Sequence, residues 1–112
     1  MALTVCVVGM VLRGGELDGV RCLSQCAVSE MTRLQTSSIP GVHYGLGWQL
    51  DDQSGAGFGH GGAMGTELWL HPGHERVTVL LVHQDGGVDA DGGALRQAVR
   101  SWGIAAVRTA AL

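Results

Sequence analysis

The sequence predicts an α+β fold, an antiparallel sheet of three to four strands flanked by helices. Three observations lead there. Apolar residues recur at helical spacing before the middle of the chain (Val28, Met31, Leu34) and again near its end (Leu95, Ala98, Val99, Trp102, Ala105, Ala106). Between these stretches, from Tyr44 to His83, the apolar period falls to two. Short turns join the extended pieces, and the order helix, helix, strands, helix favours an antiparallel sheet with helices packed on it.

The elements follow in order. Ala2 to Arg13 is apolar and ends in a cationic side chain followed by Gly14-Gly15, the chemistry of a helix C-terminus, and it reads as a buried helix. Asp18-Gly19 between apolar residues signals a tight turn and a small hairpin. Ser24 can cap a second helix running to about Leu34. Gln35 to His43, with Ser37, Ser38, Pro40 and Gly41, is a loop. Tyr44, Leu46, Trp48 and Leu50 would then share one strand face, and Gly45 and Gly47 opposite them suggest close approach by another element. Asp51 to Gly55 is a polar turn, Gly57 to His60 a short extended piece, and Thr66 to His71 a strand with Leu68 and Leu70 on one side. After the turn Pro72-Gly73, the valine-rich run Val77 to His83 is apolar on both faces and reads as a central strand that needs cover on both sides. Asp85 to Gly93 is a linker to the last helix, which covers one face. Residues 1–43 are thus mainly helical, 44–84 hold the strands, and 94–109 form the C-terminal helix of a single partial domain.

Composition removes several classes of function. The chain has 112 residues, 46% hydrophobic and 15% charged, and its 19 glycines are scattered without a three-residue period, which excludes collagen and low-complexity disorder. It contains no lysine and no asparagine. A Walker A loop, a Schiff base, a lysine general base and N-glycosylation therefore cannot arise within these residues. A net charge of −3 gives no electrostatic reason to approach a nucleic acid. Cys6, Cys22 and Cys26 lack the even count of a disulfide framework and CxxC spacing, and they read as buried free thiols. The apolar Ala2 to Leu12 stretch is too short to span a bilayer and has no basic start for a signal peptide.

The densest unusual stretch is Gly57 to Thr66, in which five glycines surround His60. Gly57, Gly59 and Gly62 satisfy GxGxxG, but the chain continues into a strand instead of the helix N-terminus that a pyrophosphate needs. Two readings of the residues stand. Glycines can strip a strand edge so that a ligand carbonyl lies against backbone N–H groups beside His60, as in an oxyanion hole. They can equally make a plain glycine-rich bulge with a surface histidine. His71, His74 and Glu75 read as a solvated turn and not a metal centre, and Asp85, Asp89 and Asp91 lack the glutamate that would close a calcium loop. Trp48, Trp69 and Trp102 read as core or rim packing, and Asp51 and Asp52, as neighbours, are poorly disposed for acid/base work.

The motifs in sequence resemble the C-terminal part of the β-lactamase-related serine hydrolases, the group of class C β-lactamases, D-alanyl-D-alanine carboxypeptidases and esterases. The resemblance is carried by Leu12 to Val20, Leu23-Ser24 leading into Glu30-Met31-Thr32, Tyr44 to Trp48, Phe58 to Ala63, Gly65-Thr66, Leu68 to Pro72 and the run Val77 to His83. It implies the C-terminal part of the β-lactamase/transpeptidase-like fold. It also implies that His60-Gly61-Gly62 stands where the family has Lys-Thr-Gly or His-x-Gly, with His60 as the catalytic side chain. Gly61, Gly62 and Ala63 would then bind substrate, Ala63 offering its backbone N–H as half of an oxyanion hole. The family's Ser-x-x-Lys nucleophile and Tyr-x-Asn element have no counterpart: none of the six serines has a lysine three residues on, and Tyr44 is followed by Gly45-Leu46. The chain is therefore expected to be a C-terminal fragment or truncated member, inactive alone. Half of a split hydrolase and a non-catalytic binder of acyl or peptide ligands are the alternatives. The partners implied are a small acyl, ester or peptide ligand, a complementing half, and further copies of the chain, which an uncovered sheet edge would attract. No cofactor and no metal are implied.

Overall fold

The computed structural model of the chain describes residues 2–51, 57–83 and 93–105. Its elements are α1 (Ala2–Leu12), β1 (Glu16–Leu17), β2 (Val20–Arg21), α2 (Gln25–Thr32), β3 (Gln49–Leu50), β4 (Phe58–Gly61), β5 (Glu67–His71), a 3-10 turn (Pro72–His74), β6 (Arg76–Leu80) and α3 (Ala94–Ala105). The sheets have two strands, β1-β2, and four, in the order β3-β4-β5-β6. This is the α+β architecture that the sequence predicts. The chain divides into two compact units, Met1–Phe58 and Gly59–Leu112.

In the first unit, α1 stops where its glycines require. Gly14, at φ +70°, and Gly15, at φ +105°, turn the chain while Gly15 N–H donates to Met10 O (2.9 Å) and Arg13 N–H to Gly9 O (3.1 Å). A Cβ on Gly15 would lie 2.1 Å from the Leu23 carbonyl oxygen, so the β1-β2 hairpin folds back against bare backbone. That hairpin pairs Glu16 with Arg21 and Leu17 with Val20 across Asp18-Gly19, both at positive φ, as the Asp-Gly signal predicts. Burial of α1 is narrower than expected. Val8 and Val11 are buried, whereas Leu3, Val5 and Val7 face solvent, because the helix is apolar all round and meets the unit along one side only. The three cysteines also depart from expectation. All are free and exposed: Cys6 lies on α1, Cys22 follows the exposed strand β2, and Cys26 occupies the first turn of α2.

Ser24 caps α2 as predicted, its Oγ accepting from Ala27 N–H at 3.0 Å. The helix ends at Thr32, short of Leu34, because Arg33 goes extended and its guanidinium turns back onto the Glu30 carboxylate (Nε to Oε2, 2.9 Å). Arg33 and, next, Gln35 hold the Glu30 carboxyl down at about 2. The expected strand over Tyr44 to Leu50 is instead a tight reversal. Tyr44 bridges Gln49 antiparallel, Gly45 N–H donates to Trp48 O (2.8 Å), and Gly47 takes φ +79°, so the period-two pattern folds across itself. Close approach at Gly45 does occur: an added Cβ would sit 2.2 Å from the Met31 carbonyl oxygen. Trp48 meets Phe58 edge to face, with 5.2 Å between ring centroids.

The second unit is built around β5, whose Trp69, Leu70 and His71 are the largest fully buried side chains among the described residues. β5 and β6 form an antiparallel hairpin from Glu67↔Leu80 to His71↔Arg76, closed by the Pro72-Gly73-His74 turn with Glu75 in the left-handed region. β6 corrects the expectation of a central strand. It stands at the end of the sheet order, and only Thr78 is buried, while Val77 and Val79 are exposed, as is Leu81 just past the strand. The helix α3 explains the difference. It covers one face, packing so close that a Cβ on Gly103 would lie 2.0 Å from Thr78 Cγ2, and the valines point the other way. Trp102 is 68% exposed on α3, outside any core.

Candidate active site

The predicted site residues are contiguous and lie where β4 runs out into its turn toward β5. Gly59 lets the two strands meet, since a Cβ there would fall 2.1 Å from the Leu68 carbonyl oxygen and 2.6 Å from the Trp69 ring. His60 is exposed on β4, one residue before the strand ends at Gly61. Its Nδ1 lies 2.7 Å from the Gly61 carbonyl oxygen. A carbonyl only accepts, so Nδ1 carries the proton in the neutral ring and the lone pair resides on Nε2. The chain then reverses within Gly62 to Gly65. Gly62 N–H donates to Thr66 O (2.7 Å), and Gly65 N–H donates back to Gly62 O (3.0 Å) with Gly65 at φ +96°. Ala63 is exposed in this turn, with only a methyl group at its side.

Behind the turn is a charged cluster that the sequence reading did not single out. Glu67, at the start of β5, is buried, with its side chain 5% exposed. Arg100 grips it with both arms, Nε to Oε1 and Nη2 to Oε2 each at 2.7 Å, and Arg96 Nε lies 3.6 Å from Oε2. The Arg100 guanidinium also stacks on Trp69, 3.4 Å from the ring centroid. Arg96 reaches further, to the Gly62 carbonyl (3.4 Å), and all three of its terminal guanidinium atoms would stand 3.3 Å from a Cβ on Gly61. The i, i+4 spacing of the two arginines on one helix face was the available signal. Their meeting with a carboxylate some thirty residues earlier was not visible in it.

Other residues weighed for chemistry are placed elsewhere. His71 is buried with Nε2 3.2 Å from Thr78 Oγ1, while His74 and Glu75 are exposed in the turn, so the three do not converge. Among the described residues, no group of three His, Cys, Asp or Glu side chains is placed to hold a metal ion. Asp52, Asp85, Asp89 and Asp91 lie outside the described residues.

An antiparallel sheet with a packed helix thus carries a glycine-edged strand that bears an exposed histidine. The family model described as Beta-lactamase matches residues 3–100, and the chain belongs to that family, of β-lactamase-related serine hydrolase origin. No curated protein matches the chain.

Proposed function

We propose that these residues form one wall of a serine-hydrolase acyl site, with the attacking hydroxyl supplied by polypeptide outside them. Ala63 N–H is one donor to the oxyanion, and the bare edge at Gly61 and Gly62 lets an acyl or peptide ligand lie along the strand. His60, through Nε2, faces the substrate or the attacking hydroxyl. The observation that carries the proposal is the turn after β4, where hydrogen bonds at Gly62 fix the peptide leading to an exposed Ala63. The family match supports the same assignment. The 112 residues contain no Ser-x-x-Lys, so covalent chemistry requires a second stretch of chain, and the sequence alone is inactive.

The test is covalent labelling by a penicillin and by a fluorophosphonate. The 112-residue chain alone is expected to remain unlabelled. Mixed with a family polypeptide that carries Ser-x-x-Lys, it is expected to promote labelling of that partner, and His60→Ala to reduce it. Labelling of any serine in the isolated chain overturns the proposal, and so does a partner whose labelling is indifferent to the chain.

A further inference from the structure

We infer that Arg96 is a positioning residue for the oxyanion donor, acting through the Gly62–Ala63 peptide and held in place by the Glu67–Arg100 fork. The inference rests on Ala63 N–H being the donor proposed above. Gly62 C=O and Ala63 N–H belong to one planar trans peptide, so they point in opposite directions and move together. Whatever grips the carbonyl aims the N–H. The Gly62 oxygen accepts from two sides, from Gly65 N–H at 3.0 Å within the turn and from Arg96 Nη2 at 3.4 Å. The first bond closes the turn. The second ties it to α3, and because its donor is cationic it also polarises the peptide, making Ala63 N–H a stronger donor.

The arrangement depends on glycine and on burial. The Arg96 guanidinium lies against Gly61, where a Cβ would meet its Cζ, Nη1 and Nη2 at 3.3 Å, so a side chain at 61 would crowd it. Glu67 accepts both arms of Arg100 and faces Arg96 Nε at 3.6 Å, so one buried carboxylate orients both arginines. All of these residues lie in the unit Gly59–Leu112.

The experiment follows Ala63 and Gly65 amides by NMR in the 15N-labelled 112-residue chain and in Arg96→Gln, Arg96→Lys and Glu67→Gln variants, with the Trp69 indole resonance reporting the fold. Arg96→Gln is expected to shift the Ala63 amide and to speed Gly65 exchange about fivefold, the scale of one weakened charge-assisted hydrogen bond. Arg96→Lys is expected to restore part of both changes, and Glu67→Gln to move Ala63 in the same direction as Arg96→Gln. Where Arg96→Gln does not fold, Gly61→Ala displaces the guanidinium by crowding alone and is expected to move Ala63. An Ala63 amide indifferent to Arg96→Gln in a folded chain overturns the inference, as do equal effects of Lys and Gln. Partner labelling with an indifferent Ala63 sinks this inference alone. An Ala63 that responds to Arg96 without partner labelling supports the positioning geometry and sinks the acyl-site proposal alone.

Discussion

Replacing Arg100 by alanine tests whether the Glu67 cluster behaves as a buried ion pair or as a surface one. The structure argues for the former, since the Glu67 side chain is 5% exposed, the Arg100 side chain is 20% exposed, and the pair is bidentate at 2.7 Å. Removing one partner of a buried pair costs about 3–5 kcal/mol, because a carboxylate is left without its counter-charge. Arg96 remains 3.6 Å from Oε2 and puts the loss near the low end. Loss of the stacking on Trp69 adds about 1 kcal/mol. The expected destabilisation is therefore about 4 kcal/mol, read as a fall in the urea midpoint of roughly 2 M or more. Equilibrium unfolding followed by tryptophan fluorescence measures it, and Arg100→Lys, which keeps the charge without the fork, should fall between wild type and alanine. A loss within about 0.5 kcal/mol would match a solvent-screened surface pair and refute the reasoning.

Three further outcomes are expected. Gly59→Ala drives a Cβ to 2.1 Å from backbone oxygen and should cost at least about 3 kcal/mol, whereas Gly73→Ala, with nothing within 4 Å, should change stability by less than about 0.5 kcal/mol in the same assay. The Glu30 carboxyl, held at about 2 in the fold against the 4.5 of an unperturbed glutamate, contributes stability that is complete above the unfolded pKa and is lost as pH falls toward 2. An NMR titration should place its midpoint near 2, and Arg33→Ala should move the midpoint up. The exposed Val77 and Val79 on β6, with Leu81 just past its end, should make the chain self-associate, and Val79→Lys should weaken that association in sedimentation velocity; a wild-type chain that runs as a sharp monomer counts against it.

Local chemistry was legible in the sequence, and long-range placement was not. Ser24, Asp18-Gly19, Gly14-Gly15 and Pro72-Gly73 act through neighbours within a few residues, and each forms the cap, turn or stop its side chains dictate. Tyr44 to Leu50 failed because an alternating pattern fits a strand and a tight reversal equally well until Gly47 adopts positive φ. The apolar run Val77 to His83 does supply a strand, but not a central one, because β propensity says what a segment becomes and not how many neighbours it acquires. His60 to Ala63 could be found by their glycines. Glu67, Arg96 and Arg100 could not, since a buried carboxylate and its partners look in sequence like ordinary surface charges.

The solvent-facing thiols of Cys6, Cys22 and Cys26 have a practical consequence for solution work. In aerated buffer, accessible sulfur advances through sulfenic acid to mixed disulfides. Copies of the chain would then become covalently bridged, and the product would outlast dilution. Reductant, or serine at all three positions, separates this ageing from reversible assembly through β6.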